Sequence, residues 1–182
     1  MIFRKLGILA IIVLGLFSAF SLGAQETGKK NQGAQNVAGK DDITWYKYDE
    51  GLKLAAKAGK PVLVDFYTNW CGWCKKMDKT TYVDPAVTSY MNSKFIAVKV
   101  NAESRDAINL PSGPVDGRRL ARSFGVTGYP SIWFLESDGK KINNLPGFAP
   151  PERFIHVLRY IGEGFYKSQT FKDYYAKATG SN

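Results

Sequence analysis

The chain has 182 residues, of which 45% are hydrophobic and 23% charged, a composition typical of a globular domain rather than a disordered one. With two cysteines and one histidine, it cannot be a disulfide-rich scaffold, nor can it complete a four-ligand Cys/His zinc site by itself. The net charge is +9, but the surplus positive residues are scattered, and no arginine-aromatic cluster indicates nucleic-acid binding. We expect a soluble basic surface, with weak attraction to anionic lipid or acidic partners as the alternative.

The N-terminal segment has the pattern of an export signal. Arg4 and Lys5 precede an uncharged, mostly apolar run over residues 6–25, and small residues crowd the end of that run. This order is typical of a cleaved secretory signal, which we assign to residues 1–24. The alternative is an uncleaved membrane anchor, because the run is just long enough to span a bilayer. Either interpretation predicts a periplasmic or otherwise exported protein.

The segment 25–40 has no aromatic residue and is rich in Gly, Gln, Asn, Ala and Lys, which predicts a flexible linker. From residue 41 to 182 we predict one domain, in which buried strands alternate with helices. The strands are predicted at 62–67, 95–100, 131–135 and 141–145. The helices are predicted at 45–56, 71–82, 84–92, 118–124 and 150–161, with a short extra one at 165–175.

This alternation predicts an α/β fold, with a central mixed sheet covered by helices on both faces. The segment 101–117 carries two prolines and two glycines, which predicts a loop. His156 falls on the polar side of its predicted helix, where Phe154, Leu158 and Ile161 define the apolar side, so we expect it at the surface.

Cys71 and Cys74 are separated by two residues and follow a predicted buried strand at the start of a predicted helix. The unpaired N–H groups and the positive dipole end of a helix start stabilise a thiolate, and Lys75 and Lys76 add positive charge. We therefore expect Cys71, at the exposed helix edge, to be the nucleophile. Cys74 would attack the mixed disulfide formed at Cys71 and release the partner.

Two structural interpretations compete with redox chemistry at this pair. One is half of a metal site, which a single histidine elsewhere cannot complete without a second chain or an external ligand. The other is a purely structural disulfide, but closing so short a loop stabilises a fold little. We favour redox chemistry, with no metal and no cofactor beyond the cysteine pair.

The run from Leu63 to Lys75 resembles the active-site segment of the thioredoxin family, and the run from Gly125 to Ser131 resembles that family's cis-proline segment. Within the family, residues 76–87 are most similar to the C-terminal domain of DsbD-type thiol:disulfide interchange proteins. The resemblance covers roughly residues 44–161. It implies a thioredoxin fold, to which the helical segment after residue 161 is an addition.

The resemblance also implies roles for individual residues. Asp65 matches a buried acid that would take the proton of Cys74; the alternative is an acid at a strand end that faces water. Pro130 matches the cis-proline that faces the disulfide, and Tyr129 would offer backbone groups to an extended substrate segment. Trp70 matches the aromatic residue that shields the sulfurs, with core packing as the alternative.

The sequence departs from thioredoxin at several places. The dipeptide between the cysteines is Gly72-Trp73 instead of Gly-Pro, which leaves the direction of electron flow open, and we count Trp73 among the substrate-binding residues. The segment 101–117 is about ten residues longer, either as a tolerated surface insertion or as a contributor to partner choice. The aromatic residues of 165–175 would pack on the domain or, alternatively, form a docking surface.

The most direct functional hypothesis is an exported thiol–disulfide oxidoreductase that reduces protein disulfides. It would act as a monomer, without nucleic acid, and a membrane-bound partner would supply electrons, because an exported reductase works in an oxidising compartment. The alternatives are an oxidase or isomerase on the same fold and, from another class, a redox-inactive binding module.

Overall fold

The computed structural model describes residues 42–180, so the predicted export signal and linker lie outside the described residues. Within that range the strands are β1 (Trp45–Tyr46), β2 (Val62–Tyr67), β3 (Ile96–Asn101), β4 (Ile108–Leu110), β5 (Gly113–Val115), β6 (Ser131–Leu135) and β7 (Lys141–Pro146). The main sheet has the order β1-β3-β2-β6-β7. β1, β3 and β2 run parallel, β6 runs antiparallel to β2, and β7 antiparallel to β6, which confirms the predicted mixed sheet.

The helices are α1 (Tyr48–Ala58), α2 (Gly72–Thr80), α3 (Pro85–Lys94), α4 (Gly117–Ser123), α5 (Pro151–Gly162) and α6 (Phe171–Thr179), with a 3₁₀ turn at Phe165–Lys167. Local sequence sets several of their starts. Asp84 accepts hydrogen bonds from two backbone N–H groups of α3 and precedes Pro85, whose fixed φ suits the first helical position. Asp116 caps α4 in the same way, through Arg119 N.

The two faces of the sheet carry separate apolar cores. Along β2, side chains alternate between faces, so Val62, Val64 and Phe66 join the core under α1 and α4. Leu63 belongs to the opposite core, to which α2, α3, α5 and α6 contribute. By the same alternation, Asp65 points to the face of Leu63, where α2 packs. The buried acid and the helix of the cysteine pair therefore lie on one side of the sheet.

The structure corrects the predicted start of the first helix. Trp45 forms part of β1 and pairs with Ala97 of β3, and α1 begins only at Tyr48, after an extended Lys47. The helical spacing of Trp45 with the later apolar residues misled the prediction, because a two-residue strand is made by long-range pairing that local periodicity does not report.

The segment 101–117, predicted as a loop, contains a small hairpin. β4 and β5 pair antiparallel, from Ile108 opposite Val115 to Leu110 opposite Gly113. Pro111, Gly113 and Pro114 are all part of the hairpin, and Gly113 has a φ of 113°, which other residues rarely adopt. The loop prediction was wrong for these residues.

The C-terminal segment, predicted as one short helix over 165–175, is the 3₁₀ turn followed by α6. The break lies at Thr170, whose hydroxyl oxygen accepts a hydrogen bond from Asp173 N and so starts the new helix. The predicted packing role is confirmed, because Tyr174 is buried and its aromatic neighbours pack against the core.

His156 is not the plain surface residue that its helix position predicts. It is half-buried, with ring centroids 6.4 Å from Tyr174 and 5.2 Å from Tyr175. The polar side of α5 that would otherwise face water is covered here by α6, an element outside the family resemblance. A prediction from one helix alone could not include that cover.

Candidate active site

The two cysteines form a disulfide at the start of α2. Their S–S distance is 2.07 Å and their Cα atoms are 5.3 Å apart. Cys71 is the N-cap of the helix rather than its first residue, and its Sγ accepts a hydrogen bond of 3.0 Å from the backbone N–H of Cys74. A sulfur at this position receives both a hydrogen bond and the positive end of the helix dipole, which favours a thiolate at Cys71 after reduction.

Exposure does not distinguish the two cysteine residues as predicted. Cys71 and Cys74 are each 4% exposed, so Cys71 does not stand at an open helix edge. What distinguishes them is the capping position, because Cys71 alone accepts the hydrogen bond from the helix N-terminus. The nucleophile assignment therefore depends on hydrogen bonding and the dipole, and not on accessibility.

Asp65 is a buried carboxyl group in the middle of the sheet. It is 2% exposed, which excludes the alternative of a strand-end acid facing water. Burial raises its pKa to about 7; Lys99, with Nζ 3.9 Å from Oδ2, opposes the rise, and the charge of Asp78 adds to it. Asp65 Oδ1 has no hydrogen-bond partner within residues 42–180. A carboxyl group in this state can exchange a proton near neutral pH.

Lys99 links this acid to a second one that the sequence analysis missed. Its ammonium group forms an ion pair with Asp78 of α2 and lies 5.0 Å from the ring centroid of Trp45 and 5.5 Å from that of Tyr82. Lys99 is directly opposite Asp65 in the β2–β3 register. The signal was present in the sequence, because a lysine inside a short apolar strand needs a buried or half-buried partner.

Trp70, beside the first cysteine, is held in place while remaining open to solvent. It is 66% exposed, so the core-packing alternative is wrong. Its Nε1 donates a hydrogen bond of 3.0 Å to Glu103 Oε1, and its ring meets Tyr129 edge-on at 5.9 Å. Glu103, in the long segment after β3, is a second residue that the sequence analysis missed.

Trp73, between the cysteines, forms a second aromatic pair. It is 56% exposed, and its ring centroid is 5.5 Å from that of Phe148. The Lys76 ammonium lies 4.9 Å from each of these two centroids. We call the four rings of Trp70, Tyr129, Trp73 and Phe148 the aromatic rim.

Pro130 and the chain after β7 meet at the same end of the sheet. The Tyr129–Pro130 peptide bond is cis, and Pro130 O accepts a hydrogen bond of 2.8 Å from Gly147 N. Ser131, the first residue of β6, is opposite Phe66 near the end of β2. The cysteine segment, the proline segment and the segment of Phe148 thus converge at one edge, and the rim contacts join them.

Metal-binding clusters and membrane-spanning helices are absent from residues 42–180. No group of three or more His, Cys, Asp or Glu side chains there could hold a metal ion. No helix in this described range is long and apolar enough to cross a membrane.

A cysteine pair at a helix N-terminus, on a mixed sheet with a neighbouring proline segment, defines the class of thioredoxin-like thiol–disulfide oxidoreductases. Comparison with known proteins supports the same class. Residues 48–162 match the sequence model of the Thioredoxin-like domain family, so the chain belongs to that family. The predicted thioredoxin fold is confirmed.

Relatives and solved structures add detail. The chain is 28% identical over 161 residues to the thiol:disulfide interchange protein DsbD of Vibrio vulnificus, an alignment that covers 83% of this chain and 25% of the relative. The matched segment makes up between 17% and 25% of the length of these DsbD proteins. A thioredoxin from Thermus thermophilus has a TM-score of 0.55 and 28% identity, covering 66% of this chain and 87% of that one.

A protein from Bacteroides thetaiotaomicron, proposed to be a disulphide-isomerase, is also similar. Its TM-score is 0.54 at 29% identity, and the match covers 73% of this chain and 100% of that one.

Proposed function

We propose that this protein is an exported thiol–disulfide oxidoreductase that reduces protein disulfides through Cys71 and Cys74. The observation that carries the proposal is the position of Cys71 as the N-cap of α2, where its sulfur accepts the Cys74 N–H. The similarity to proteins named for thiol:disulfide interchange supports it. Export is proposed from the charged, apolar and small-residue pattern of residues 1–24.

In the reduced protein, the Cys71 thiolate attacks one sulfur of a substrate disulfide. A bond from Cys71 to that sulfur forms while the substrate S–S bond breaks, and the departing substrate sulfur takes a proton from solvent. Cys74, as a thiolate, then attacks the Cys71 sulfur and displaces the second substrate sulfur, which takes a proton from solvent. The substrate gains two electrons, and the cysteine pair becomes a disulfide.

Asp65 is proposed as the base that takes the proton from Cys74 before this second attack. Its position on the face of the sheet that α2 covers supports this role, as does its pKa of about 7. Above that pH the carboxylate is available to accept the proton, and below it the group is already protonated. We therefore expect the resolving step to accelerate as the pH rises through 7.

The substrate segment is proposed to bind beside the cis-proline. Tyr129 would pair with the extended segment through its backbone, with Pro130 facing the disulfide, and Trp70 and Trp73 would contact its side chains. The exposure of both tryptophans beside the sulfurs supports this arrangement, because large apolar side chains left open to water mark interaction sites.

Turnover as a reductase needs a source of electrons. We propose a membrane-bound dithiol donor, because a reductase in an oxidising compartment is otherwise converted to the inactive disulfide form. A flow of electrons in the opposite direction would make the same site a disulfide oxidase, and repeated attack on misplaced bonds would make it an isomerase.

The experiment is insulin reduction with dithiothreitol as the electron source. We expect the wild-type protein to accelerate insulin precipitation and the Cys71→Ser variant to give only the uncatalysed rate. In a separate reaction with dithiothreitol removed, the reduced Cys74→Ser variant should accumulate a mixed disulfide between Cys71 and substrate, visible by non-reducing electrophoresis and mass spectrometry. Equal rates for wild type and Cys71→Ser would overturn the proposal and leave a binding module. A mixed disulfide that forms equally in Cys71→Ser would contradict the assignment of nucleophile and resolver.

A further inference from the structure

We propose that Trp73, Lys76 and Phe148 form a specificity subsite that selects substrate segments carrying an acidic side chain beside the reacting cysteine. The inference rests on the proposed function and names the chemistry of the substrate at that site. We call these three residues the cation–aromatic subsite.

Geometry is the first support for this subsite. Residues three apart on a helix share a face, so Trp73 and Lys76 of α2 lie side by side. The Lys76 Nζ atom is 4.9 Å from the ring centroids of both Trp73 and Phe148. The two rings are inclined by 33° with centroids 5.5 Å apart. The rings therefore favour a position of the ammonium group beside Trp73 and Phe148 before any substrate arrives.

Charge is the second support. Helix α2 contains three lysines at positions 75, 76 and 79 and one acidic residue, Asp78. Asp78 forms an ion pair with Lys99 of the neighbouring strand, so it is not available to neutralise the exposed lysines. Lys76 has no carboxylate within ion-pair distance among residues 42–180. An incoming carboxylate would be the first anion to meet this preorganised cation.

The position of the subsite is the third support. Trp73 lies between the two cysteines, and Phe148 follows Gly147, whose N–H bonds to Pro130 O. A substrate segment that brings a sulfur to Cys71 beside Pro130 must therefore pass close to the subsite. The exposed ring of Trp73 offers apolar contact, and Lys76 offers charge. The matching substrate has an apolar surface and a carboxylate within a residue or two of its cysteine.

The test compares two synthetic peptides with one internal disulfide, identical except for Glu or Lys next to one cysteine. The measured quantity is the ratio of their reduction rates, with dithiothreitol as the electron source. Both peptides meet the same thiolate, so changes in thiolate reactivity cancel in the ratio. For the wild type we expect the Glu peptide to react about threefold faster at low salt, with the preference shrinking as salt screens the charges.

Charge-reversed variants of Lys76 and Lys79, both on α2, show which lysine causes the preference for the Glu peptide. Lys76→Glu should abolish or reverse the preference for the Glu peptide. Lys79→Glu, which makes the same charge change one helical turn further from the cysteines, should keep it. Phe148→Ala should weaken the preference, because it removes one of the two rings that hold the ammonium group.

Each outcome supports or overturns the subsite. Equal rates for the two peptides, a preference for the Lys peptide, or a preference unchanged in Lys76→Glu would each overturn it. If Lys79→Glu lost the preference for the Glu peptide as fully as Lys76→Glu, the subsite would also be overturned, since the net positive charge of α2 would then explain the preference. Failure of the proposed function is distinguishable: the wild type would then fail to reduce 2-hydroxyethyl disulfide, a neutral small molecule, as well as both peptides.

Discussion

Two regions of the molecule are rich in aromatic residues and use them in opposite ways. At the active-site edge, Trp70 and Trp73 are more than half exposed. In the C-terminal addition, Tyr174 is buried against α5, with its ring 4.9 Å from Phe165 and 5.5 Å from Tyr160. The first set of rings is open to a partner, whereas the second set already has its partners within the chain.

Buried polar groups occur in both regions. In the C-terminal region, the hydroxyl groups of Tyr160 and Tyr166 donate to Gln169 O and to Glu136 Oε1. On the face of the sheet that α2 covers, Asp65 Oδ1 is buried without a hydrogen-bond partner among the described residues, and His156 Nδ1, beside α6, is buried without one as well. Burying an unpartnered polar group lowers the free energy of unfolding in either region, and Asp65 differs from His156 in being a carboxyl group whose pKa burial raises to about 7.

The largest expected effect comes from removing the charge of Asp65. In Asp65→Asn, the base for Cys74 is lost, so release of the mixed disulfide at pH 8 should slow at least tenfold. The wild-type rate of this step should rise with pH through about 7, and the variant should lose that rise. Rapid-mixing kinetics of mixed-disulfide decay would measure both the rate at pH 8 and its dependence on pH. The exposed Asp138→Asn is the matched control, and a variant profile like that of the wild type would contradict the role.

The same substitution should stabilise the folded protein at alkaline pH. Between pH 4 and 7 the unfolded carboxyl group has lost its proton while the folded one keeps it, given its pKa of about 7. Wild-type stability should therefore fall as the pH rises through this window and level off above it. Across this pH window, the free energy of unfolding of the wild type should fall by on the order of 4 kcal/mol at most.

Urea unfolding of the oxidised protein at pH 4.5 and 8.5 measures this difference. We expect Asp65→Asn to be more stable than the wild type at pH 8.5 and to have a flatter pH dependence. A wild-type stability that rises across the window would contradict the raised pKa.

A substitution in the C-terminal region should lower the stability of the fold without lowering the catalytic rate. Tyr174→Ala removes a buried ring, so it should lower the free energy of unfolding by about 3 kcal/mol, while the folded variant reduces insulin at the wild-type rate. Tyr174→Phe, which keeps the ring, is the matched control and should be nearly neutral. Urea unfolding measures the loss of stability, and the insulin assay measures whether activity is kept. A loss of activity in folded Tyr174→Ala would mean that the two aromatic regions are not independent.

The smallest effect is expected at the contact that orients Trp70. Glu103→Ala removes the acceptor for the Trp70 indole N–H, and we expect kcat/KM for insulin to fall about threefold as the ring loses its fixed position. Glu103→Gln keeps an acceptor oxygen and should recover most of the loss. If both variants match the wild type, then the hydrogen bond does not contribute to substrate binding.

The parts of the site that the sequence predicted are those coded by local pattern. The buried strand and the cysteine pair at the start of a helix lie within one short segment, so the redox chemistry could be inferred from neighbours in the chain. The acid at position 65 was identified through the family resemblance, and the N-cap position of Cys71 was seen only in the structure. Lys99 and Glu103 were missed because their importance comes from contacts with residues more than 20 positions away. The cover of His156 by α6 was missed for the same reason.

The central claim is that the cysteine pair works as a reductant, and its equilibrium reduction potential tests that claim most directly. The Cys71/Cys74 pair would be equilibrated in dithiothreitol or glutathione redox buffers, and the fraction reduced measured by thiol alkylation and mass spectrometry. We predict a potential near that of thioredoxin, about −270 mV. A value near about −120 mV, that of a strong oxidant, would contradict the reductase account and favour disulfide formation.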